Sequence, residues 1–146
     1  MSYTANSRKI WNRDREYLVT LFTKGAEMRF AVCCSDTNEL SRVCAMIRRC
    51  GEERSIGAET VEFRREDALW DEFVPGRFQG AVVGYGDVRG FLCARRLRES
   101  DSACRVVLLD DTEHYAIRGL RIHLSDFVLR PAEDRRLFTA IERLFS

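Results

Sequence analysis

The sequence has neither a surplus of charge nor a long apolar run. Its 24 lysines and arginines stand against 23 aspartates and glutamates, a net charge of +1 over 146 residues. No global field therefore draws nucleic acid or an anionic membrane surface. No stretch approaches the roughly 18 apolar residues of a membrane-spanning helix, and no secretory leader is recognisable. Histidine is scarce: only His114 and His123 occur, and neither has a reason in the sequence to approach a nucleophile. The six cysteines, at 33, 34, 44, 50, 93 and 104, form no metal-ligand spacing and lie mostly inside apolar patterns. These absences point to a cytoplasmic protein with reduced thiols, without a membrane or nucleic-acid partner. Adjacent Cys33 and Cys34 read as small buried hydrophobes at a strand end rather than as a redox pair. Linkers, repeats and low-complexity segments are also missing, and the length suits one domain with a real core.

What is present is organised around Cys104–Pro131. Val106–Leu109 is a short branched apolar run closed by Asp110 and Asp111, the pattern of a strand buried on both faces. A helical segment follows with Tyr115, Ile117, Leu120 and Ile122 among charges, and Phe127–Leu129 forms a second buried strand. Arg130-Pro131 stops it, because proline cannot extend a ladder. Strand, helix and strand in so few residues make a right-handed parallel crossover. Asp110 and Arg130 then lie side by side at the strand ends, where α/β proteins place their sites.

The same alternation runs from Met28 onward. Arg29–Cys33 is the first core strand, and Asp36 caps a helix over 37–50 with Leu40, Val43, Cys44 and Ile47 on one face. Thr60–Arg64 alternates Val61 and Phe63 inward, a strand with one wet side. A short helix over 66–73 is broken by Pro75-Gly76, Gly80–Tyr85 is a third buried strand, and a helix follows over 88–99, with Asp87 as its cap. A last amphipathic helix spans 133–145. Five strands alternating with five helices define a doubly wound α/β domain with a five-stranded parallel sheet over 28–146.

Residues 1–27 form an N-terminal extension. Ile10, Trp11, Tyr17, Leu18, Leu21 and Phe22 share one face at helical spacing, which predicts an amphipathic helix over 7–23 ended by Lys24-Gly25. The composition of Tyr17–Phe22 also suits a strand. Either way so large an apolar face needs a partner, the domain itself or a second copy.

From Met28 to the end the chain resembles a response-regulator receiver domain, especially that at the front of LytTR-type regulators. Met28–Cys33 with Asp36, Phe78–Val83 with Gly90 and Ala94–Arg98, Glu113–Ala116, and Asp126–Pro131 carry the likeness. It implies the flavodoxin-like (βα)5 fold and a place in two-component signalling. The family's chemistry is not carried over. Its two acidic residues after the first strand are matched by Cys34 and Ser35, with Asp36 one place later. Its phosphate-accepting aspartate is matched by Gly84, its hydroxyl residue by Asp110, and its lysine by Arg130.

Phosphoryl transfer to a carboxylate needs that carboxylate, together with a magnesium ion on hard oxygen ligands. The matched positions supply one carboxylate, Asp110, and one cation, Arg130. The expectation is a pseudo-receiver that is no enzyme, takes no phosphate and binds no magnesium. Asp110 and Arg130 are then two charges left in water at a drifted edge, where a pair is worth ~0–1 kcal/mol, or an internal ion pair that holds the domain in one state. It carries no attached DNA-binding domain, so it acts through a protein partner or its own homodimer. The family's usual contact face corresponds to Ile117, Leu120, Arg121, Arg135 and Arg136, with the N-terminal extension as an added contact. Two alternatives stand: a receiver phosphorylated on a displaced Asp36 or Asp87, and a small-molecule binder using the strand-end cleft with Cys34. The Arg95, Arg96, Arg98 cluster and the Arg135-Arg136 pair read as solvated helix faces rather than nucleic-acid contacts.

Overall fold

Alternation along a single strand divides the core in two. Phe30, Val32 and Cys34 belong to one buried cluster, Ala31 and Cys33 to another, because successive side chains of a strand leave opposite faces. In the computed structural model, which describes the backbone of Ser7–Asn12 and Tyr17–Phe22 and the whole of residues 27–146, that strand is β3 (Met28–Cys34). The remaining elements are the strands β1 (Ser7–Asn12), β2 (Tyr17–Phe22), β4 (Ala58–Phe63), β5 (Gly80–Gly84), β6 (Arg105–Asp110) and β7 (Asp126–Leu129), and the helices α1 (Thr37–Glu53), α2 (Glu66–Glu72), α3 (Asp87–Ser100), α4 (Ala116–Arg121) and α5 (Asp134–Glu142).

The sheet order is β1-β2-β4-β3-β5-β6-β7, and β4 through β7 in that order form the expected five parallel strands. Helices α1 and α5 cover one face through Leu40, Val43, Ile47, Leu137 and Ile141. The other face is covered by α2 and α3 through Leu69, Phe91 and Leu97. Each such fully buried side chain contributes roughly 1.5–3 kcal/mol of transfer free energy. Asp36 starts α1 as expected, its carboxylate accepting from the Asn38 N–H at 3.0 Å. Among the described residues no helix is long and apolar enough to cross a membrane.

The N-terminal helix expected over 7–23 is not formed. Ser7–Asn12 and Tyr17–Phe22 are antiparallel strands, and β2 pairs antiparallel with β4, with Val19 opposite Val61. In two six-residue segments rich in aromatic and β-branched residues, helical and strand spacing cannot be told apart by pattern. The unpaired edge of β4, which a hairpin can satisfy, decides between them. Residues 13–16, the Lys24-Gly25 stop and the side chains of Ile10, Trp11, Tyr17, Leu18, Leu21 and Phe22 lie outside the described residues.

The same pairing corrects the wet side expected for β4. Glu59 and Thr60 are buried, and Glu59 is neutralised there by Arg29 at 2.6 Å. Helix α4 is shorter than its apolar pattern suggested, running only from Ala116 to Arg121. Its end is closed by His123 at φ 59°, with the Leu124 N–H donating to the Gly119 carbonyl at 3.1 Å.

Candidate functional site

Parallel strands deliver their carboxyl ends to one edge of the sheet. Cys34 ends β3, Gly84 ends β5, Asp110 ends β6, and Arg130 follows β7 by one residue. The Arg130 N–H donates to the Asp110 carbonyl at 2.7 Å, so the backbones are as close as the crossover required.

The side chains take other partners. The Arg130 guanidinium grips Glu39 in a fork, Nε to Oε2 at 2.7 Å and Nη2 to Oε1 at 2.6 Å. Nη2 also donates to the Gly84 carbonyl, and Nη1 reaches Asp111 at 3.5 Å. Neither an Asp110–Arg130 ion pair nor two charges left in water is found: Arg130 pairs with Glu39, and Asp110 is buried. Glu39 was the residue missed. It lies three places after the cap Asp36, where a capping-box glutamate ordinarily turns back to its own helix start; that pattern was the available signal. Burial by itself would lower the Arg130 pKa, but the hydrogen bonds and charge of Glu39 outweigh it and hold the guanidinium above its ordinary value.

Gly84 carries the site. A Cβ placed on it would meet Arg130 Nη2 and Glu39 Oε1, both at 2.7 Å, and Cys34 Sγ at 2.9 Å. The space that a nucleophilic side chain would need at the end of β5 is filled by the fork. A side chain at position 84 and the Glu39–Arg130 pair in this arrangement exclude each other.

Asp110 has turned away from Arg130. Only 1% exposed, its Oδ1 accepts from the N–H of Asp111 at 2.7 Å and of Asp87 at 3.2 Å. Its Oδ2 has no partner among the described residues. Asp110 thus ties β6 to the start of α3, where Gly86 and Asp87 take φ values of 81° and 58°. The cap expected from Asp87 is a correction: the N-cap position is Gly86, which has no side chain to offer, and Asp87 is the first residue of α3. Ser35 and Asp36 are exposed, and Asp36 serves as the cap of α1.

Burial first, and then the charge of Glu39, pushes the Cys34 thiol well above its ordinary value. Cys34 is thus a thiol rather than a thiolate nucleophile. All the cysteines are free and buried. Among the described residues no group of three histidine, cysteine, aspartate or glutamate side chains is arranged to hold a metal. The strand ends offer a buried thiol, a glycine, a glutamate already gripped by arginine and the single buried carboxylate of Asp110, too few free hard oxygens to fit the octahedral set that magnesium takes.

The basic helix residues have local partners. Arg96 lies over the Trp70 ring at 3.8 Å, and Arg98 donates to the carbonyls of Ile122, Ser102 and Cys104. Arg136 forks onto Asp126 at 2.8 and 2.9 Å. Arg121 and Arg135 are exposed. On α4, Ile117 and Leu120 are 70% and 74% exposed. Beside them lies a groove of about 340 Å³ lined by Gly119, Leu124, Phe127 and Arg143. His114 rests edge-on against Tyr115.

Neither the family models nor the curated proteins compared with the chain give a match. Solved structures do. The DrrB response regulator of Thermotoga maritima, described as an OmpR/PhoB homolog, is 23% identical with a TM-score of 0.62 over 81% of this chain and 52% of its own. This chain therefore spans about half of that regulator. The HemR receiver domain of Leptospira biflexa is 14% identical, with a TM-score of 0.67 over 82% of this chain and 95% of its own. A signal receiver domain from Clostridium thermocellum is 12% identical, with a TM-score of 0.67 over 82% and 98%. The architecture is that of response-regulator receiver domains, a flavodoxin-like five-stranded parallel sheet between helices.

Proposed function

We propose that this chain is a pseudo-receiver: a receiver-fold module, of the kind that fronts LytTR-type regulators, that takes no phosphate. It works by protein–protein contact in two-component-type signalling or transcription regulation. The observation that carries this reading is Gly84, with Arg130 and Glu39 occupying the room its side chain would need. In a receiver that switches, a phosphoryl group recruits a lysine. Here the cation is already satisfied by an internal carboxylate, so one state is held without a signal. On this reading the chain is no enzyme, needs no magnesium, and works in the cytoplasm.

The exposed pair Ile117 and Leu120 supports the α4 face as the contact surface, with Arg121, Arg135 and Arg136 setting its charge. Apolar side chains this exposed side by side, next to a groove, favour a protein partner or a second copy. The outer edge of β1, for which no pairing beyond β2 is described, is the added contact from the N-terminal segment. Thermal unfolding in magnesium and beryllium fluoride, which mimics an acyl phosphate, tests the reading. No rise in Tm is expected, and a saturable rise would overturn it.

A further inference from the structure

A second pocket, of about 330 Å³, opens at the same edge of the sheet and shares no lining residue with the one around Arg130. It forms where the segments after β3, β4 and β5 meet, contributing Ser35, Arg64, Arg65, Tyr85 and Arg89. This is the crevice beside β3 at which the strand order reverses, the position where open α/β sheets bind ligands.

Its charges are unevenly committed. Arg65 pairs with Asp67 at 2.6 Å, and Glu66 accepts from the Trp70 indole N–H at 3.0 Å. Arg64 and Arg89 have no hydrogen bond, ion pair or ring contact among the described residues. Among the described residues Arg29, Arg42, Arg49, Arg54, Arg65, Arg77, Arg95, Arg130, Arg136 and Arg143 each pair with a carboxylate. With three guanidiniums against two carboxylates the lining carries +1, and its uncommitted donors are Arg64, Arg89 and the Ser35 hydroxyl. Tyr85 supplies a fixed aromatic wall, because its hydroxyl is tied to the Phe63 carbonyl at 2.8 Å.

We propose that this pocket binds a small organic phosphate noncovalently. Arg64 and Arg89 take the phosphate oxygens, and Tyr85 flanks the organic part. Two planar guanidiniums without a partner among the described residues are a donor set that suits phosphate oxygens. The rigid ring beside them favours an ester with a flat, apolar substituent over a bare ion. The site takes in Ser35 but not Cys34, Gly84, Asp110 or Arg130, and no bond is made or broken in it.

Calorimetric titration of the full chain at fixed ionic strength, with inorganic phosphate and with phenyl phosphate as probes, tests this. Both should bind saturably, phenyl phosphate the more tightly. Arg64→Ser and Arg89→Ser should each weaken binding by about tenfold or more. Both side chains are exposed, so the variants keep the wild-type thermal transition. Arg105→Ser and Arg135→Ser, which remove exposed arginines outside the pocket, should bind as wild type. Absence of saturable binding up to millimolar concentration would overturn the proposal. So would equal weakening by the two control substitutions, which would reveal general charge attraction only.

Discussion

Arg130 holds Glu39 across 91 residues of sequence, through two hydrogen bonds of 2.6 and 2.7 Å. Neither partner is fully wet, with 21% and 14% of their side chains exposed. Surface ion pairs contribute little, but a half-buried fork whose second nitrogen also satisfies a backbone carbonyl is costly to leave half-made. Glu39→Ala or Arg130→Ala is expected to destabilise the domain by about 1–3 kcal/mol, read as a fall of Tm of roughly 2–4 °C per kcal/mol for a chain of this size. The double variant should cost less than the sum of the singles. Strict additivity would mean that the two residues act independently.

Gly84→Ala tests the same contact from the other side. Its new Cβ must displace the tips of both Arg130 and Glu39. The expected cost is about 1–3 kcal/mol, as for overpacking elsewhere. Because the clash involves the fork itself, Glu39→Ala in the same chain should recover part of that cost. Chemical denaturation of the four chains measures it, and an unrelieved penalty would place the clash on Arg130 or Cys34 rather than on Glu39.

The acid side of the stability curve should depend on Asp126. Burial raises its carboxyl, but the Arg136 fork, with help from the Phe127 N–H and Arg143, overcomes this and holds it below its usual value. A depressed folded pKa gives stability that is present above the unfolded value of about 3.9 and lost as pH falls below it. Arg136→Gln should therefore lower Tm at neutral pH, and the difference from wild type should shrink as pH falls below the unfolded value of about 3.9 and through the depressed folded one. A constant offset at all pH values would show that Arg136 acts through packing alone.

Thiol chemistry offers an independent check on the strand-end cleft. Burial pushes Cys33 and Cys34 well up, and Cys104 up to about 12, so little thiolate exists in the native protein at neutral pH. A disulfide exchange reagent should label the native chain slowly and the denatured chain at all six cysteines. Fast labelling of Cys34 in the native state would reopen a nucleophilic role for it.

Ile117→Glu with Leu120→Glu should leave the unfolding free energy within about 0.5 kcal/mol of wild type, because both side chains already face water. If the α4 face is the contact surface, sedimentation at micromolar concentration should show less self-association in this variant. Unchanged self-association would direct attention to the edge of β1.

The parallel core was legible because β3, β5, β6 and β7 are short, mostly apolar runs, β4 alternates Val61 and Phe63 inward, and α1 announces its start at Asp36. The N-terminal hairpin was not, since whether Tyr17–Phe22 extends or coils is decided by the free edge of β4, a fact of tertiary structure. At the site, the positions of Cys34, Gly84, Asp110 and Arg130 followed from strand order. The partner of Arg130 did not. Adjacent strand ends suggested Asp110, yet that carboxylate is drawn to the N–H groups of Asp87 and Asp111, and Glu39 reaches in from α1. Spacing along the chain gives strand neighbours well and side-chain directions at loop ends poorly.

The most direct test of the account is the intact mass of the full chain after incubation with acetyl phosphate and magnesium, beside a receiver domain that retains its aspartate. The account predicts an unmodified mass for this protein while the comparison domain gains a phosphoryl group. A stoichiometric, acid-stable but base-labile adduct on Asp36, Asp87 or Asp110 would contradict it.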